Sequence, residues 1–215
     1  MNSKKLIVAA TKNELAPLFS HYNLPDESFI QSVNFDILIT GVGMTATAFA
    51  LGRYLNATYS LVLNVGIAGS FDQKFNLGDL VNINTDIFAE FGAEDHSDFI
   101  EMETLGFGKN RFNSTATNEL LMIDNLPKAT AITVNKVHGN EQSIASIKKR
   151  LNPQLESMEG AAVFYACEQA HIQCLQVRSI SNYVTERNTA NWEIKLAIKN
   201  LNIWLIDYLS TVVTK

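Results

Sequence analysis

The feature that most constrains this 215-residue chain is a series of short, almost continuously apolar, β-branched runs at residues 6–10, 35–40, 61–65, 80–87, 131–137 and 175–181. Runs that lack polar alternation suit strands buried on both faces. Between them, residues 14–22, 45–56, 141–151, 160–170 and 192–213 carry apolar positions at helical spacing. Alternating strands and helices predict an α/β fold, a three-layer α/β/α sandwich around a mostly parallel, mixed central sheet. No linker, repeat or charge run divides the chain, so residues 1–215 read as one domain.

Sheets of this kind bind ligands where strands end, so the loops after each run are where chemistry is expected. Composition narrows the partners. Hydrophobic residues make up 47% and charged residues 18%, enough for a large core, and the net charge of −5 lacks the clustered Lys and Arg that a nucleic acid requires. No apolar run approaches the roughly 18 residues of a membrane helix. The apolar stretch from Leu6 to Ala10 is too short for a signal peptide and reads as a first strand, so a cytoplasmic protein is expected, without nucleic-acid or membrane partners. Cys167 and Cys174 have no CxxC or ligand spacing and read as reduced, buried thiols. The histidines His21, His96, His138 and His171 are scattered, so neither a metal nor a cofactor is expected.

Four segments could carry chemistry. Gly41-Val42-Gly43, with Met44 in the same loop, follows a strand and precedes the helical stretch that begins at Thr45. Position 46 is Ala46 and no acid follows at the right distance, which excludes a dinucleotide fingerprint. The glycines serve either a tight turn or close approach to an oxygen-rich ligand. Asn64-Val65-Gly66-Ile67-Ala68-Gly69 ends a strand in small residues, which lets a flat ligand approach the backbone. Met158-Glu159-Gly160-Ala161-Ala162 places a carboxylate at the head of an apolar helix, where it either caps the helix dipole or meets a ligand. Arg178-Ser179-Ile180-Ser181-Asn182 puts an Arg inside an apolar strand, which requires an anionic partner; Glu14, past the first strand, is one candidate.

Together, in this order and spacing, these segments and Leu77-Gly78-Asp79 resemble the nucleoside phosphorylase/hydrolase superfamily over nearly the whole chain. The closest likeness is to its nucleosidase branch, which includes methylthioadenosine/S-adenosylhomocysteine nucleosidases and futalosine hydrolases. The resemblance implies that Glu14 activates the attacking water with Arg178 nearby. Glu159 holds the ribose hydroxyls, and Met158 packs against the sugar. It further implies substrate contacts from Ile67, Ala68, Gly69, Gly43, Met44, Gln142 and Ser181. Such an assignment suits glycoside cleavage, which passes through an oxocarbenium-like sugar.

Hexameric phosphorolytic relatives carry Gly-Asp-Pro-x-Arg after the first strand. Here Ala10-Thr11-Lys12-Asn13-Glu14 stands there, and an acid in place of a phosphate-binding Arg favours water over phosphate. Adenine-specific nucleosidases have Asp at the position of Asn182. An amide cannot transfer a proton but can donate to N7 or to a 6-oxo group, which points to a leaving group such as hypoxanthine. Asn182, with Arg187 and Trp192 beyond it, is similar to the futalosine hydrolase pattern. That family frees hypoxanthine from futalosine in the alternative route to menaquinone. Methylthioadenosine/S-adenosylhomocysteine or aminofutalosine cleavage, phosphorolysis, and silent nucleoside binding are the competing functions. Gln142 stands where an aromatic base-stacking residue is expected, leaving Phe91, Phe107 and Phe112 as alternative suppliers. The family is usually oligomeric, so a homodimer or higher homo-oligomer is expected.

Overall fold

The computed structural model describes residues 4–116 and 121–213. The elements run β1 Lys4–Ala9, α1 Ala16–His21, β2 Phe29–Gln31, β3 Phe35–Ile39, α2 Met44–Tyr54 and β4 Tyr59–Ser70. Then come β5 Leu80–Phe88, β6 Gly92–Asp95, β7 Asp98–Glu101, β8 Arg111–Asn113, α3 Leu121–Asp124 and β9 Lys128–Thr133. The chain ends with α4 Glu141–Leu151, β10 Leu155–Ser157, α5 Gly160–Ala170, β11 Gln173–Tyr183 and α6 Ile194–Val213. A 3-10 turn, Lys12–Leu15, joins β1 to α1.

Nine strands form one mixed sheet in the order β10-β9-β5-β11-β4-β1-β3-β2, with β8 beside β5, while β6 and β7 make a separate hairpin. The central pairs β1 with β3, β1 with β4, and β4 with β11 are parallel, as uninterrupted apolar strands require. Alternation along β1 divides its side chains. Ile7 and Ala9 join a core with α1 and α6, whereas Leu6 and Val8 join another with α2 and α5. Helices therefore cover both faces, the expected three layers.

One pairing goes beyond that picture. β10 lies parallel to β9 but also antiparallel to the end of β4, with Leu155 opposite Ser70 and Glu156 opposite Gly69. The strands β4, β11, β5, β9 and β10 thus close into a ring at one end of the sheet. β4 runs on past the expected 61–65 to Ser70, since small residues there let the curling neighbours pack closely. β9 ends at Thr133 instead of reaching residue 137, because Val134 begins the departure toward the loop that carries His138. Both cysteines are buried and free. Among the described residues, no helix is long and apolar enough to cross a membrane.

Candidate active site

Glu14 sits in the 3-10 turn that follows β1, held by a capping box. Its Oε2 accepts from the Thr11 amide at 2.9 Å and the Thr11 hydroxyl at 3.0 Å, and its Oε1 accepts from the Ile67 amide at 3.2 Å. Asn202, buried in α6, donates to the Glu14 carbonyl at 2.8 Å and accepts from the Leu18 amide at 3.1 Å, which pins the turn to the longest helix. Burial raises the Glu14 carboxyl above its ordinary value. Arg178 and the amides of Ile67 and Thr11 pull it back, and the charge of Glu159 pushes it up. A carboxylate whose affinity for a proton is raised in this way is suited to take one from water.

Arg178 lies beneath, 1% exposed. Its Nη2 donates to Gln176 Oε1 at 3.3 Å, whereas Nε and Nη1 have no hydrogen-bond partner among the described residues, so it acts on Glu14 by charge instead of through a direct ion pair. Gly66 explains how the two groups approach. A β-carbon at this point of β4 would overlap Arg178 Nη1 and lie 2.7 Å from Glu14 Oε1. The glycine is the gap through which cation and carboxylate come near each other.

Gln176 belongs to a buried polar seam. Its carbonyl accepts from Asn64 Nδ2 at 2.7 Å and its amide donates to Asp86 Oδ2 at 2.8 Å. Thr133 donates to Asp86 Oδ1 at 2.8 Å and accepts from the Ala161 amide at 2.7 Å, in the first turn of α5. Burial pushes the Asp86 carboxyl up to about 6 despite Gln176, Thr133 and Arg178. The seam joins Arg178 to the helix headed by Glu159. Glu159, 7% exposed, accepts from the Gly43 amide at 2.9 Å, so it is held by a ligand-loop amide instead of by its own helix.

A cavity of about 290 Å³ collects most of the expected residues. Glu14, Met158, Glu159, Ile67, Ala68, Gly69, Ser181 and Asn182 all line it. Four expected residues lie apart from its wall, Arg178 beneath it and three others. Gly43 acts behind Glu159, Met44 begins α2, and Gln142 is exposed in the first turn of α4, where its backbone N–H donates to the Asn140 cap. Of the aromatic suppliers, Phe107 is 75% exposed, Phe91 is 42% exposed and Phe112 is core; Trp192 is the aromatic residue of the lining.

Asn182 owes its position to a register shift. β11 pairs Ile180 with Ala68 and Asn182 with Gly69, so Ser181 is the extra residue of a bulge, a device that re-aims a side chain. The Asn182 amide donates through Nδ2 to the Tyr183 carbonyl at 3.2 Å, and its Oδ1 accepts from the Ser181 hydroxyl at 2.8 Å. The Ser181 hydroxyl also lies 3.1 Å from the Ala68 carbonyl, so the Tyr183 carbonyl is the neighbour that fixes which end of the amide is the donor. Unforeseen in the lining are Glu156 and His138. The available signal was an acid inside the apolar stretch Leu155-Glu156-Ser157, and a lone His past β9 gave none.

Residues 32–210 match the family described as Phosphorylase superfamily. The chain belongs to this superfamily. Among relatives of this phosphorylase-superfamily chain, a futalosine hydrolase of Acidothermus cellulolyticus is 30% identical, covering 94% of this chain and 88% of that protein. A futalosine hydrolase of Thermus thermophilus is 26% identical, covering 80% of each. A crystal structure of a mutant Helicobacter pylori MTAN with 5′-methylthioadenosine in its active site superposes with a TM-score of 0.83 at 16% identity, over 98% of this chain and 100% of that one. That likeness is one of fold. The superfamily member described here is an N-glycosidase of the nucleosidase kind.

Proposed function

We propose that this enzyme hydrolyses the N-glycosidic bond of futalosine and releases hypoxanthine. The observation that carries the reading is the fixed amide of Asn182. With one Nδ2 hydrogen on the Tyr183 carbonyl, the remaining hydrogen of the NH2 group is the one it offers a base. A 6-oxopurine presents acceptors at O6 and N7, which match that donor. The relatives named futalosine hydrolase support the same substrate.

In this reading Glu14 takes the proton of the attacking water and Arg178 tempers its charge from below. Glu159 binds the ribose hydroxyls and stabilises the cationic sugar as the bond to the base lengthens. Asn182 donates to the departing base, and hypoxanthine carries off the electron pair of the glycosidic bond. Hydrolysis is favoured over phosphorolysis because the loop beside Glu14 offers no cation to an anion. Its Lys12 turns away into an ion pair with Asp26, and Glu14 itself repels phosphate.

The test is chromatography of futalosine, aminofutalosine, methylthioadenosine and inosine after incubation, with and without phosphate. Release of hypoxanthine from futalosine, unaffected by phosphate, is expected. Preferential adenine release, or a sugar phosphate as product, overturns the reading.

A further inference from the structure

Glu156 and His138 have no part in the chemistry above, yet both line the cavity. Glu156 is 4% exposed, and a carboxylate buried to that degree requires partners. His138 supplies them twice, its backbone amide donating to Oε1 at 3.1 Å and its Nδ1 to Oε2 at 2.7 Å. An ionised carboxylate has about four acceptor positions, so both oxygens keep capacity for a further donor.

The ring of strands decides what that capacity faces. Gly69 is flanked by Glu156 on β10 and by Asn182 on β11. A β-carbon on Gly69 would lie 2.9 Å from Val184 Cγ2, 3.2 Å from Asn182 Nδ2 and 3.5 Å from Glu156 Cγ, so these side chains close over the glycine. An acceptor and a donor therefore come together on one stretch of the cavity wall, where the edge of a planar base can meet both. A 6-oxopurine offers the complementary pair on one edge, with N1–H as donor beside O6 as acceptor. A 6-aminopurine offers the reverse, an N1 lone pair against a carboxylate and an amino group against an NH2.

We propose that Glu156, positioned by His138, accepts the N1–H of a 6-oxopurine, so that the base is read by Glu156 and Asn182 together. This rests on the reading of the cavity as a purine-nucleoside site. A carboxylate acceptor makes a stronger, charge-assisted bond than a neutral one, and an acceptor facing an acceptor is penalised accordingly.

The test is calorimetric binding of hypoxanthine, 1-methylhypoxanthine and adenine, which needs no turnover. The wild-type chain is expected to bind hypoxanthine roughly 10- to 100-fold more tightly than either other base. In Glu156→Gln the hypoxanthine affinity should fall while adenine holds or gains, and the preference should collapse. Equal weakening of both bases by the substitution would assign Glu156 a structural role and overturn the proposal. Wild-type binding of 1-methylhypoxanthine as tight as that of hypoxanthine would overturn it without any variant, and so would a wild-type chain that binds no base. Futalosine cleavage with a base preference insensitive to Glu156 retires this inference alone. A preference that follows Glu156, without futalosine cleavage, retires the futalosine assignment alone.

Discussion

The two faces of β4 and β11 are buried to the same degree and built from opposite materials. Toward α6, Leu61, Leu63, Val65, Leu175 and Val177 pack with Leu205 and Leu209 in one aliphatic core. Toward α2 and α5, the same strands begin with Val62 and Cys174 and then turn polar at Asn64, Gln176 and Arg178. The period of two is unbroken, and only the residue type changes. One face holds the molecule together by dispersion and dehydration, through contacts that are individually replaceable. The other holds charges that burial opposes, kept in place by hydrogen bonds that each depend on the next.

The sharpest way to break the contrast is Glu14→Gln. The amide keeps the shape but cannot take a proton, so kcat/KM should fall about 10²- to 10⁴-fold in steady-state kinetics. In the parent enzyme, kcat/KM should fall with acid through a limb above the ordinary Glu value of 4.5, since the base must be ionised to act. A variant with normal turnover would remove Glu14 from the mechanism.

On the opposite face, Leu205→Ala should lower stability by about 2–5 kcal/mol in urea unfolding and leave the kcat/KM of the folded enzyme nearly unchanged. A selective loss of turnover would mean that the two faces are not separable.

Asp86 sharpens the comparison through pH. Its folded value of about 6 lies above the ordinary 3.8, so its contribution to stability is complete below about 3.8 and is lost as pH rises through about 6. Between pH 4 and 7 the parent protein should lose on the order of 3 kcal/mol relative to Asp86→Asn, measured as the difference in slope of unfolding free energy against pH. Parallel slopes would place the carboxyl in a solvated setting.

The smallest expected effect is Asn182→Asp, which should shift the kcat/KM ratio toward 6-amino substrates by roughly 5- to 150-fold. No shift in competitive assays with futalosine and aminofutalosine would show that another residue reads the base.

Much of the aliphatic side was legible in the sequence, because dehydration acts on local pattern. The helices α4 and α5 begin and end where their spacing and caps place them, at Asn140 and Glu159. The strands β2, β8 and β10 are three residues each, too short to show a period, and the hairpin of β6 and β7 is polar on its outer surface. Glu14, Glu159 and Asn182 were marked by motifs that sit next to strand ends. Glu156 was not, since its meaning depends on lying opposite Gly69, and a register between distant segments leaves no local trace. Gln142, expected from its place in the chain to contact substrate, is exposed in the first turn of α4 and outside the cavity wall.

The pairing of β10 with the end of β4 also has a bearing on how the molecule comes to be made. It joins Ser70 to Leu155, so the last edge of the ring can be laid only after a long intervening stretch has found its own partners. Contacts of such separation form late, once the chain entropy of the loop has been overcome. Helical signal on refolding should therefore return ahead of catalytic turnover, and the interval between them would time the closing of the long-range pairings, that of β4 with β11 included.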